Sequence, residues 1–246
     1  MKQLKEQRFA KRGEQIFFYP QNSVMEKVYP RCPQLMRTNA NPLEPLMAIN
    51  ENADLVRNLL DVMEKDILPL TENGVAEGNK VFGGALLRKS DLSLVMAQTN
   101  NETENPLWHG EVHLLKCFYE SPLSKQESTK DMIFLSTHEP CTMCMSAIAW
   151  AGFDNFFYFF SHQDSRDSFA IPHDLKMLKE VFGLEPGGYN KDNAFWKSRG
   201  LFDIMASLPD DQAKLLLDQA HRIRDRYAKL SDTYQSSKDD NAIPLN

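Results

Sequence analysis

Cysteine is scarce in this chain, with four residues among 246, at positions 32, 117, 141 and 144. So few, so unevenly spread, cannot make the dense disulfide framework of a small secreted domain. A chain of this length can bury enough apolar surface to fold without covalent staples. Long apolar runs are missing too. No segment approaches the roughly 18 consecutive apolar residues of a membrane span. The first twenty residues lack the apolar stretch of a signal peptide and carry acidic residues that a transit peptide avoids. Nor is there an excess of positive charge. The net charge is −6, which argues against a phosphate-tracking surface. The one local basic cluster, Lys2, Lys5, Arg8, Lys11 and Arg12, reads as a solvated terminus. These absences leave an ordinary globular protein of a reducing, cytoplasmic compartment, with no membrane partner, as the expectation.

What is present divides the chain into three parts. Residues 1–46 are rich in Pro and Asn toward their end ("YPRCPQLMRTNANPLEP") and read as an irregular extension. Residues 47–185 carry the regular patterns. Met47, Asn50, Leu55, Leu59, Val62, Met63 and Ile67 fall near helical spacing, and Pro69 is expected to close that helix at about 68. "VFGGALLR" and "LSLVMAQ" read as two strands joined by a tight Lys-Ser-Asp turn. A helix is expected over 109–120, a buried strand over 132–137, a helix over 141–151 ended by Gly152, and a strand over 155–160. This order implies an α/β sandwich with parallel strands from 132 onward. Residues 186–246 read as a helical extension, with a long amphipathic helix over 210–230 and a disordered polar tail of a dozen residues.

The chemistry concentrates in two stretches, "NPLWHGEVHLL" (105–115) and "THEPCTMCMSAIAWAG" (137–152). Together they spell H-x-E followed by P-C-x-x-C, the pattern of zinc deaminases that act on nucleobases. A catalytic zinc takes three protein ligands and keeps a fourth position open for water. His109, Cys141 and Cys144 supply one nitrogen and two thiolates. Cysteines at i and i+3 in the first turn of a helix share a face, and the positive end of that helix favours their ionised form. Pro140 suits a helix start. Glu111, two positions from His109, points elsewhere and is left free to move protons beside a water whose pKa can fall to about 7. Two other readings stand beside this one. A lone C-x-x-C can be a redox pair, although that motif ordinarily follows the first strand of its fold. A purely structural zinc site would take a fourth ligand from Cys117, Cys32, His113 or His138.

"WHGE" followed by "HEPCTMCMSAIAWAGF" resembles the cytidine deaminase-like superfamily, in the branch that holds guanine deaminases, fungal-type cytosine deaminases and tRNA adenosine deaminases. The resemblance spans about residues 47 to 165. It implies an α/β three-layer sandwich, a mixed sheet of about five strands between helices, with zinc between two helix N-termini. It also implies His109, Cys141 and Cys144 as ligands and Glu111 as proton shuttle. In the same way Asn100, in the loop after the second strand, is expected to contact the base, with Asn101 as its competitor. Trp108 and His138 are expected to line the pocket, His162 and Asp164 are further candidates, and a homodimer is implied.

The expected activity is hydrolytic removal of the exocyclic amine from a small nucleobase or nucleoside, guanine first and cytosine next. The alternatives are a tRNA adenosine deaminase, against which the acidic balance counts, and a non-catalytic zinc-stabilised subunit, which would have no use for Glu111.

Overall fold

The patterns that alternate with period two become strands, and the structure, a computed structural model, describes residues 49, 51–183 and 188–245. The extension over 1–46, with its basic cluster and Cys32, lies outside the described residues. Five strands form one sheet in the order β2-β1-β3-β4-β5. They are β1 (Gly83–Arg88), β2 (Leu94–Thr99), β3 (Met132–His138), β4 (Asn155–Phe160) and β5 (Lys197–Gly200). β1 runs antiparallel to both β2 and β3, whereas β3, β4 and β5 are mutually parallel in sequence of neighbours.

Both faces of the sheet are covered. Ile133, Leu135, Phe157 and Phe159 point into a core beneath α1 (Ala53–Val62), α2 (Leu68–Ala76), α7 (Leu201–Ser207) and α8 (Asp210–Ser237). Their neighbours Phe134, Phe156 and Tyr158 point into a second core with α3 (Gly110–Glu120), α4 (Thr142–Trp150) and α6 (His173–Phe182). The alternation of side chains across a strand makes the two cores. It also explains why "NFFYFF" is apolar at nearly every position: a strand buried on both faces has no solvent side.

The structure departs from the expected elements in four places. The first helix starts at Ala53, because the Asn52 side chain accepts the Leu55 N–H at 2.9 Å and caps it. It does not stop at Pro69. A π turn over Met63–Ile67, in which the Leu68 N–H bonds the Met63 carbonyl, carries the chain into α2. Pro69 then sits in the first turn of α2, where a missing N–H costs little. The fifth strand, "KSRG", comes from beyond residue 185. It is a short polar edge strand held by backbone pairing with β4, so it carries no apolar alternation to read. Finally, α8 continues to Ser237, since Ser231 and Tyr234 prolong the buried stripe of Leu216, Ala220, Ile223 and Tyr227.

The polar tail is not loose. Gln235 donates to the Phe169 carbonyl at 2.8 Å, Asn241 donates to the Gly78 carbonyl at 3.0 Å, and Ile243 is buried. Its apolar residue and its side-chain amides find partners only in the folded chain. Among the described residues, no helix is long and apolar enough to cross a membrane.

Candidate metal centre

Two helix starts converge at the end of the sheet. His109 is the N-cap residue of α3, and Cys141 is the N-cap residue of α4, with Cys144 one turn on. The approach of α3 depends on Gly110: a Cβ there would lie 2.6 Å from Gly83 Cα and 2.8 Å from Gly83 N, on the backbone of β1. The small residue between His109 and Glu111 therefore lets the helix reach the sheet. The P-C loop is held from the other side. The Glu139 N–H donates to the Phe160 carbonyl at 2.7 Å, and its buried carboxylate accepts the His162 N–H at 3.0 Å and the Tyr189 hydroxyl at 2.8 Å. Burial opposes the charge on Glu139, but His162 and Lys191 beside it outweigh that and hold the carboxyl below its usual value.

One ligand atom from each of His109, Cys141 and Cys144 lies within 4.8 Å of the others. An imidazole nitrogen and two sulfurs, half-buried to buried, form a donor set that suits zinc. Cys141 is held well below the ordinary thiol value by a hydrogen bond from Cys144 and by His109. Burial and the same hydrogen bond push Cys144 well above it. The pair thus shares a proton that a bound cation would displace. His113 does not join them: its Nδ1 lies 2.8 Å from the Thr99 carbonyl, and its ring stacks on Trp108. Among the described residues the cluster therefore has three donors, which leaves room for a non-protein ligand.

Glu111 is buried at 4% exposure and its carboxylate accepts the Ser136 hydroxyl at 2.9 Å. Burial, and then the Cys141 thiolate, push it up to about 7. A carboxyl poised there exchanges protons readily at neutral pH.

Beside the cluster lies a cavity of about 300 Å³. His109 and Cys141 form part of its wall, with Phe82, Met143 and Ile171 as apolar surface and Asp174 as a carboxylate. Burial pushes Asp174 up to about 6. Leu107, Met177, Pro244 and Leu245 also line it, so the C-terminal tail closes one side.

Of the residues expected to contact substrate, none is in the cavity wall. Asn100 is fully buried. Its amide N–H donates to Glu102, and its carbonyl oxygen accepts the Gly110 N–H, so both ends serve the protein. Trp108 lies outside, stacked on His113 with the Lys116 ammonium 4.7 Å from its ring centre. His138 is enclosed by Phe82, Phe160, Phe169 and Tyr227, because at the end of β3 its ring enters the aromatic core. Asp164 forms a capping box with Ser161 and an ion pair of 2.6 Å with Arg224, and His162 contacts Glu139 and Pro140. The cap was legible as S-x-x-D. Asp174 had no such signal, since it sits in the first turn of an amphipathic helix that the sequence shows only as a helix, and it reaches the cavity through the fold.

A mixed sheet thus gathers one imidazole and two thiols at the starts of two helices, a group that could hold a metal ion. Residues 58–160 match the cytidine and deoxycytidylate deaminase zinc-binding region. That match places residues 58–160 in the cytidine deaminase-like superfamily. Several solved structures are similar. A guanine deaminase from Bacillus subtilis is 25% identical over 55% of this chain and 86% of its own, with a TM-score of 0.37. A guanine deaminase from Nitrosomonas europaea is 17% identical over 74% of this chain and 100% of its own, with a TM-score of 0.43. A structure from a study of A-to-I editing by tRNA:A34 deaminases is 17% identical over 63% and 97%, with a TM-score of 0.39. No curated protein sequence matches the chain.

Proposed function

We propose that the protein is a zinc-dependent hydrolytic deaminase of a small nucleobase or nucleoside, with guanine the first substrate to test and cytosine the second. The observation that carries this reading is Glu111. It is a buried carboxylate that, among the described residues, makes no ion pair, and it accepts from Ser136 beside three candidate metal donors. A purely structural site needs no such group.

His109, Cys141 and Cys144 would hold the zinc, which when bound would lower the pKa of a water enough for it to attack at neutral pH. Glu111 would carry one proton from the attacking water to the ring nitrogen, and a second, from the hydroxyl newly joined to the carbon, to the amine as the carbon–nitrogen bond breaks. The product carbonyl and ammonia balance the consumed water. The cavity of about 300 Å³ is the size of a small-molecule site, and apolar side chains cover the faces of a flat ring. Asp174 offers a carboxylate to ring or exocyclic N–H donors.

A tRNA substrate fits less well. Among the described residues, the exposed rim side chains Leu107, Met177 and Leu245 are apolar, and the lysine in the wall, Lys80, is buried in an ion pair with Glu102. Phosphate tracking requires free cations at the mouth. A cytoplasmic setting, and the homodimer implied by the resemblance, belong to this reading.

The test is an ammonia-release screen over purines, pyrimidines and nucleosides, with Glu111→Gln run beside the parent. The variant is expected to retain zinc and lose activity by about a hundredfold to ten-thousandfold. Ammonia release by the variant at the parental rate would overturn the assignment of Glu111. A parent inactive on every compound would overturn the reading itself.

A further inference from the structure

Resting on the zinc reading, we propose that Glu102 is a positioning residue that orients the His109 imidazole and fixes which of its nitrogens faces the metal. The two ring nitrogens of His109 meet different partners. Nδ1 lies 3.6 Å from Cys141 Sγ, on the side of the donor cluster. Nε2 lies 3.4 Å from Glu102 Oε1. A neutral imidazole has one N–H and one lone pair. With a carboxylate facing Nε2, the proton belongs there, and Nδ1 is left to present its lone pair beside the sulfurs. Carboxylates that receive the outer N–H of a ligand histidine hold the ring in place and raise its basicity.

Glu102 is itself held firmly enough to do this. Its side chain is 1% exposed, and its Oε1 pairs with Lys80 Nζ at 3.0 Å, where Lys80 is 6% exposed. Its Oε2 accepts the Asn100 amide, and the other end of Asn100 accepts the Gly110 N–H, one residue from His109. One side chain therefore ties the carboxylate to the backbone that carries the imidazole. Lys80 precedes β1, Glu102 follows β2 and His109 opens α3, so the arrangement exists only in the folded chain. Lys80 also supplies the countercharge. A buried carboxylate without one would be costly, and it would add negative charge next to two thiols that must both ionise on binding metal.

The experiment measures zinc affinity by chelator competition, and melting of the metal-free chain, in the parent, Glu102→Gln and the double variant Lys80→Met/Glu102→Gln. Glu102→Gln is expected to weaken zinc binding by roughly tenfold to a hundredfold, and to melt earlier because Lys80 is left buried and unpaired. The double variant removes the orphaned cation. It is expected to regain melting temperature while its zinc affinity stays low.

Zinc affinity of Glu102→Gln within about twofold of the parent overturns the proposal. Recovery of affinity together with stability in the double variant also overturns it, since the pair would then serve only the fold. A raised KM at unchanged affinity overturns it as well, by making Glu102 a substrate contact. A parent that binds no zinc sinks the zinc reading first, an outcome separate from these.

Discussion

Replacing His138 with Phe is expected to make the fold less sensitive to acid. The imidazole is 2% exposed, ringed by aromatic side chains, and its Nε2 has no hydrogen-bond partner. Burial lowers its pKa from 6.5 to about 3, reinforced by Arg224 and His162 against an opposing effect of Asp164. The unfolded chain therefore takes up a proton at this position below 6.5, while the folded chain does not until about 3. The contribution to stability is full above 6.5 and drains as the pH falls between those values. At pH 5 the unfolded side chain is about 1.5 units below its pKa, which at about 1.4 kcal/mol per unit is a loss of about 2 kcal/mol. Urea denaturation of parent and His138→Phe at pH 7 and pH 5 isolates this quantity. The larger ring is expected to shift stability at both pH values by the same amount, so the slope between them carries the result. The parent should lose about 2 kcal/mol more than the variant over that interval. Parallel losses would refute the reasoning, because they would mean that the folded protein accepts the proton as easily as the unfolded chain.

Two further outcomes follow from the site. Gly110→Ala brings a methyl group onto the backbone of Gly83, which cannot rotate away, so a loss of about 3 kcal/mol in unfolding free energy is expected by urea denaturation. A loss below about 1 kcal/mol would show that α3 can withdraw from the sheet freely. Asp174→Asn removes one of the two carboxylates in the cavity wall, the other being Glu102, and is expected to raise KM for the best substrate of the screen by about tenfold to a hundredfold, with a smaller change in kcat. Steady-state kinetics at pH 7 check this, and an unchanged KM would remove Asp174 from substrate recognition.

The resemblance and the spacings made the metal donors legible, and their geometry agrees: His109, Cys141 and Cys144 meet at two helix starts. A motif names residues whose chemistry requires one another, so their proximity is implied before any fold is known. Contacts to a substrate carry no such mutual requirement, so Asn100, Trp108 and His138 were candidates by position alone. The fold spends Asn100 on Gly110 and Glu102, and it turns His138 into an aromatic core. Trp108 faces Lys116 instead of the cavity.

The same division runs through the whole molecule. Local pattern was enough for β1 through β4, for α3 and α4, and for the alternation that builds two cores, because period and capping are properties of neighbouring residues. β5, the continuation past Pro69, and the docking of Ile243 were settled only in three dimensions. So was the meeting of Lys80, Glu102 and His109 from three separate segments. A polar edge strand, a π turn, a polar tail anchored by Ile243 and a buried ion pair each owe their stability to partners far away in the chain. No stretch of their own residues announces those partners.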